Sequence, residues 1–333
     1  MTLTNCIHEI DADQWETLVN DAATASFFST RSCYDFYASL SFLEEFIFAV
    51  SEEGVLKGII VGYIQSEGKL ISRYFTRRAI IPGGALLDET IRDETLIALL
   101  EYTKEQLKGK AIYVEFRNYN DYGCYKKIFV RERFKYVPHL NFHVDCSSEE
   151  IMINHIGKHR RKYIRMSLKS EAEVIVYPSE PEIAQFYHIL EELYATHVKT
   201  PLFPIDFFIK LKELENSLFL LLRLDNVIIG GIVCVYLKNK TVYEWFICGL
   251  DQKYKSIYPS TLIRWSAMDF ACKNSIARFD MMGAGKPGKV YGVRDFKAEF
   301  GGQLVEHGRF LCVLNPVLYQ LGKLGIRFLK QFK

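Results

Sequence analysis

One order of elements occurs twice in this 333-residue chain. Phe46 to Val50, the turn Glu53-Gly54 and Leu56 to Ile64 read as a hairpin of two apolar strands, and Leu218 to Leu224, Asp225-Asn226 and Val227 to Leu237 repeat it. Gly58 and Gly230 hold matching places in the second strand, 172 residues apart. Each hairpin leads to one more strand, a loop marked by Pro82 or Pro259, a helix (91–107, 260–273) and a further strand (111–116, 277–281). Final strands are expected at Leu140 to Val144 and Phe310 to Val313. This shared order predicts a tandem duplication of one α/β unit with mixed sheets, divided into residues 1–146 and 147–333. With 49% hydrophobic residues the chain has enough apolar material for two cores.

The formal charge is only +2, so a phosphorylated partner must be held by a local basic patch, and DNA is not expected. Ser147-Ser-Glu-Glu150 has the spacing of a helix-starting capping box. The helical stretch after it carries Lys158, His159, Arg160, Arg161, Lys162, Arg165 and Lys169, with Arg161, Arg165 and Lys169 aligned at i, i+4, i+8. Like charges at that spacing call for an anion. A ligand phosphate is one reading; a solvated face paired with Glu182, Glu191 or Glu192 of a helix at 181–195 is the other.

Eight cysteines stand singly, without the grouping zinc requires, and no metal is expected. The N-terminus is acidic where an export leader would be apolar, and the longest apolar run, 227–237, is shorter than the ~20 residues of a membrane span, which predicts a cytoplasmic protein. Residues 316–333 read as an amphipathic helix, with Lys323, Arg327, Lys330 and Lys333 on one side. Leu318, Leu321, Leu324, Phe328, Leu329 and Phe332 gather on the other. Such a helix either lies on an anionic membrane or packs against the second half.

The densest glycine and polar content runs from Phe279 to Gly302 (FDMMGAGKPGKVYGVRDFKAEFGG), a strand feeding a glycine loop and a short helix. Gly283-Ala-Gly285-Lys-Pro-Gly288 fits G-x-G-x-x-G, but it lacks a regular βαβ context and is a weak nucleotide signal. This segment, the basic stretch HRRKYIRMSLKS and the duplicated halves together resemble the Fem family of peptidoglycan-bridge peptidyltransferases. The most diagnostic element is F-K-x-x-F-G, here Phe296, Lys297, Phe300 and Gly301.

The resemblance implies two GNAT-like acyltransferase domains that move an amino acid from aminoacyl-tRNA to an amine of a phosphorylated cell-wall precursor, with no cofactor. It implies that Lys297 meets the developing oxyanion and that Phe296 shapes the site. Without it, Lys297 reads as a surface ion pair with Asp295 or Glu299. Asp280, at a strand end, either orients the amine or caps the glycine loop. Glu244 is either a buried base or a solvent-facing strand residue. Arg161 and Arg165, with Arg31 from the first half as helper, are the candidate phosphate ligands, and Arg160, Tyr291 and Arg294 join the substrate-binding set.

The chain departs from many Fem proteins in having no pair of long heptad-patterned helices. The competing donor is acyl-CoA, which GNAT enzymes hold in a glycine loop. The matching stretch, Gln252 to Ser260, contains no glycine. In the first half Pro82-Gly83-Gly84, preceded by Arg73, Arg77 and Arg78, reads as a turn in preference to a CoA loop. A third reading is a precursor-binding module without catalysis.

Overall fold

Both hairpins close on two residues in the left-handed region: Glu53 (φ 51°) with Gly54 (84°), and Asp225 (49°) with Asn226 (62°). Positive φ at both central positions matches the turn to the twist of the strands it joins. The computed structural model describes residues 1–66, 75–198 and 200–331, from residue 325 as backbone only. The expectations for Arg73, Phe332 and Lys333, and for the side chains of Arg327, Phe328, Leu329 and Lys330, fall outside the described residues.

The strands are β1 (Thr2–Thr4), β2 (Glu44–Glu52), β3 (Val55–Gln65), β4 (Arg78–Gly83), β5 (Leu86–Leu87), β6 (Tyr113–Asn118), β7 (Lys135–Val137), β8 (Leu140–Asp145), β9 (Glu173–Ile175), β10 (Ser217–Leu224), β11 (Val227–Leu237), β12 (Thr241–Gly249), β13 (Arg278–Gly283), β14 (Gln303–Glu306) and β15 (Arg309–Val313). The duplication extends to register. Val50 faces Gly58 just before a bulge, and Leu222 faces Gly230 just before an equivalent one. A Cβ on Gly230 would lie 2.9 Å from the Cys248 carbonyl oxygen, so backbone packing excludes a side chain there, while one on Gly58 would lie 2.9 Å from Leu99 Cδ2, a side-chain end that would have to shift.

The helices Asp93–Leu107 and Pro259–Lys273 make the crossovers that parallel neighbours need, joining β4 to β6 and β12 to β13. Pro82 lies inside β4, not in a loop, while Pro259 opens its helix, where a missing N–H costs nothing.

The first sheet has the order β1-β2-β3-β4-β6-β15-β7, with β5 beside β3; the second has β14-β8-β13-β12-β11-β10-β9. The division at 146/147 is therefore crossed in both directions. The last strand of the first half, β8, pairs with β13 and β14, and the last strand of the second half, β15, pairs with β6 and β7. The two compact units are residues 1–139 with 307–333, and residues 140–306. Each has its own core, one around Phe116, Phe129, Phe134 and Phe310, the other around Phe142, Val144, Ile232, Met268 and Phe279.

The terminal helix, Pro316–Gln331, groups with the first unit, where Tyr319 meets Tyr113 edge to face, and not with the second half to which the sequence division assigned it. The capping serine of the linking segment is Ser148, whose Oγ accepts from the Ile151 N–H at 3.2 Å, and Ser147 instead bonds Asp145. Two short helices follow, Glu149–His155 and Lys158–Ser167, so Lys169 falls beyond the basic helix and out of the expected row.

Candidate active site

Phe296, Lys297 and Phe300 sit at or just beyond the helix Gly292–Ala298, and the six-residue pattern they begin has a physical reason at each fixed position. Phe296 and Phe300, one turn apart, meet edge to face at 5.5 Å. Two guanidinium groups stack on them: Arg160 lies 4.3 and 5.1 Å from the two ring centres and Arg264 5.0 Å from each. Gly301 has φ +81°, and a Cβ there would come within 2.2 Å of the His155 carbonyl oxygen. Neither the conformation nor the space admits a side chain.

Lys297 is buried and turned inward, away from the surface pair with Asp295 or Glu299 that sequence alone allows. Its ammonium donates to the carbonyls of Met281 and, at 3.1 Å, Gly283, which ties the short helix to the end of β13. Its third neighbour is Glu244 Oε1, 3.6 Å away. Burial lowers the proton affinity of Lys297 below the ordinary lysine value; Glu244 opposes this, Arg264 adds to it and Asp280 opposes it.

Glu244 neither faces solvent nor stands free as a base. Arg264, from the crossover helix, grips it with two hydrogen bonds, Nε to Oε2 at 2.5 Å and Nη2 to Oε1 at 2.9 Å. Glu244 is thus the negative centre between two buried cations. Sequence reasoning missed Arg264, although a signal was present: a single arginine among Leu262, Ile263, Trp265, Ala267 and Met268 on a buried helix needs a buried counter-charge.

Asp280, fully buried, lies as the strand-end cap. Its Oδ1 accepts from the Met282 N–H at 2.6 Å, Asn141 Nδ2 donates at 3.3 Å, and His143 Nε2 lies 3.3 Å from Oδ2. The cap holds Met282 at φ 53°, a turn that presents the Met281 and Gly283 carbonyls to Lys297.

The basic residues divide. Arg160 is buried, donating to Thr261 Oγ1 at 2.5 Å and to Glu299 Oε2 at 2.6 Å, which commits both of its terminal nitrogens within the protein. Arg161 is half-buried and Arg165 exposed, and among the described residues neither makes an ion pair. The acidic partners that sequence offered are elsewhere: Glu182 caps Ser179 and pairs with Arg223, and Glu191 faces His188. Arg294 braces the glycine loop through the carbonyls of Ala284, Lys286 and Lys289, while Tyr291 stands exposed beside it. Arg31 is exposed at the first turn of the helix Arg31–Ala38 in the first unit.

Two features bear on the donor. Asp251 binds Ser260 N–H and Oγ at the start of the crossover helix, putting a carboxylate where a GNAT pyrophosphate would need free N–H groups. In the first unit Pro82 and Gly83 end β4 instead of forming the expected turn, and the glycines are closely packed: a Cβ at Gly83 would strike Ser26 Oγ at 2.1 Å, and one at Gly84 the Tyr122 hydroxyl at 2.4 Å. Beside Asp251 the end of β12 and the π-helical turn Tyr194–Val198 border a cavity of about 390 Å³, lined among others by Thr196, His197, Gly249 and Leu250.

Residues 222–325 match the sequence model of the FemAB family. No curated protein matches the sequence. Among solved structures the chain is similar to FemX, with a TM-score of 0.74 at 15% identity over 96% of this chain and 99% of that one. It is also similar to the C-terminal domain of a putative lysylphosphatidylglycerol synthetase from Agrobacterium fabrum (0.59, 13%, 93% and 94%) and to a tandem GNAT protein from the clavulanic acid biosynthesis pathway (0.59, 9%, 95% and 99%). The fold is that of twin GNAT-like domains. Among the described residues no helix is long and apolar enough to cross a membrane, and no cluster of histidine, cysteine and acidic residues could hold a metal.

Proposed function

We propose that this FemAB-like chain is a transferase of the peptidoglycan-bridge type, moving an aminoacyl group from aminoacyl-tRNA to an amine of a phosphorylated cell-wall precursor in the cytoplasm. The observation that carries this reading is the buried Lys297, set by the F-K-x-x-F-G pattern against the Glu244–Arg264 pair inside the stretch that matches FemAB. Amide formation requires the amine nitrogen to attack an ester carbonyl, a C–N bond to form, the C–O bond to break and the departing oxygen to gain a proton. Charge gathers on the carbonyl oxygen in between, and a dry, fixed cation stabilises it there more strongly than water does. Two of the Lys297 donors are committed to carbonyls, and the third, facing Glu244 at 3.6 Å, is the one a substrate oxygen takes over.

Phe296 in this reading holds the two arginines in place and shapes the wall. Arg161 and Arg165 take the acceptor's phosphates, and Tyr291 lines its path. The aspartate-capped crossover helix and the close packing over Gly83 and Gly84 favour the tRNA donor over acyl-CoA. Lys297→Met is expected to lower kcat by about 100-fold or more while precursor binding persists, because the charge is needed mainly in the transition state. Single-turnover transfer from aminoacyl-tRNA, run beside calorimetric binding of the precursor, measures both. A variant that turns over like the wild type removes Lys297 from the chemistry and leaves a binding module.

A further inference from the structure

The first unit carries a charge cluster that the transfer reading does not use. Arg117 on β6 and Arg309 on β15 are directly opposite in register. Like charges at that position repel, yet both converge on one carboxylate oxygen: Arg117 Nε donates to Glu115 Oε1 at 2.7 Å and Arg309 Nη1 to the same atom at 2.9 Å. Arg309 Nη2 also lies 3.1 Å from His139 Nε2. Arg78 on β4, level with Tyr113, adds a third cation to the same sheet face.

Among the described residues Glu115 is the acid paired with both Arg117 and Arg309, through one oxygen only, and the Nη1 and Nη2 groups of Arg117 make no hydrogen bond. The cluster is nonetheless largely withdrawn from solvent, with side chains 32% (Arg117), 26% (Arg309) and 16% (Glu115) exposed. Burial and then the charge of Arg117 hold the Arg309 guanidinium below its usual value, whereas at Arg117 burial is outweighed by Glu115 and the nearby Tyr63 and Tyr119, which hold that guanidinium above its own. Burial alone would raise the Glu115 carboxyl, but the two arginines outweigh it and hold the carboxyl low.

We infer that Arg117 and Arg309 form a binding site for an oxoanion, a phosphate or carboxylate group of a small ligand, over which Glu115 acts as the resident competitor. The argument rests on the geometry of the first unit alone. Planar guanidinium forks suit either anion, since each presents paired N–H donors at the spacing of two oxygens.

The test uses the full chain at low ionic strength, titrated calorimetrically with inorganic phosphate and, in a separate arm, with succinate. Sodium chloride at matched ionic strength is the control. Saturable binding of either anion, weakened at least 10-fold in Arg309→Gln, is expected, and the tighter arm identifies the group. Glu115→Gln is the decisive variant. In a ligand site it strengthens anion binding several-fold, because it removes the competing carboxylate, whereas in a purely structural ion-pair network it leaves anion affinity unchanged and only lowers stability. Should Arg309→Gln fail to fold, Arg117→Lys, which keeps the charge and loses the fork, is expected to weaken binding in the same direction. The inference is overturned if neither anion binds beyond the chloride control, or if Glu115→Gln fails to tighten binding.

Discussion

A single lysine ties the chemistry to pH in two opposed ways. Because burial depresses the proton affinity of Lys297 in the folded protein, the unfolded chain binds that proton more tightly. This contribution to stability therefore rises with pH between the folded value and the ordinary 10.5. Activity is expected to run the other way, since in the proposed mechanism the ammonium meets the oxyanion. The alkaline limb of kcat is expected below the ordinary lysine value, and Lys297→Arg should carry that limb out of the measurable range whatever its residual rate. A limb that stays put in the arginine variant assigns it to another group. Beside it, Arg264→Met leaves Glu244 with a buried charge and one distant partner, and a loss of about 3–5 kcal/mol is expected by urea denaturation. A change within error would mean that the pair contributes nothing measurable. Sequence made Lys297, Phe296, Glu244 and Asp280 candidates through spacing and resemblance, but not their partners. Arg264, Thr261 and Asn141 come from other elements, 33, 36 and 156 residues before Lys297, and only tertiary packing brings them in.

Elements were legible where a local rule suffices. Both hairpins, both crossover helices and the parallel pairs they create follow from alternation, turn residues and length. The break at Ile156-Gly157 was hidden, because the charged run 158–169 masks it and the N–H of Gly157 is taken by the Glu299 carbonyl at 2.9 Å, a long-range bond. The terminal helix is an element whose pattern outlives its packing. Leu318, Tyr319 and Gly322 are half-buried, whereas Val317 (69% exposed), Leu321 (50%) and Leu324 (58%) form a bare apolar stripe at i, i+4, i+7. The sequence of this helix has no acidic residue and includes Lys323, Arg327 and Lys330, so its charge suits an anionic lipid surface. Co-sedimentation with vesicles containing phosphatidylglycerol is expected for the wild type and should be lost in the triple variant Val317→Ser, Leu321→Ser, Leu324→Ser with its thermal midpoint unchanged. Equal sedimentation of the two, or none by either, ends the membrane role.

At the scale of the whole molecule, the duplication is real in order but not in autonomy. A boundary drawn from sequence at 146/147 gives each half its own final strand, since nothing local distinguishes β8 from β15; both are short alternating strands after a Phe-containing segment. The choice is made by long-range pairing. β15 supplies Phe310, stacked at 4.1 Å on Phe129 in the core of the first unit, and β8 supplies Leu140, Phe142 and Val144 to the core of the second. Burying a Phe or Leu side chain is worth about 1.5–3 kcal/mol, so a unit deprived of its borrowed strand loses several such terms and gains an unpaired sheet interior between β6 and β7. Domains are typically stable by only about 5–15 kcal/mol, which leaves little margin for that loss. The fragment 1–146 is therefore expected to be unfolded or aggregated, whereas residues 1–139 joined by a short flexible linker to 307–333, and residues 140–306 alone, are each expected to unfold cooperatively in urea. Circular dichroism and urea titration of the three fragments distinguish the cases. Cooperative unfolding of 1–146 on its own, with the linked fragment no more stable, would show that the exchanged strand is ornamental and that the first unit folds without it.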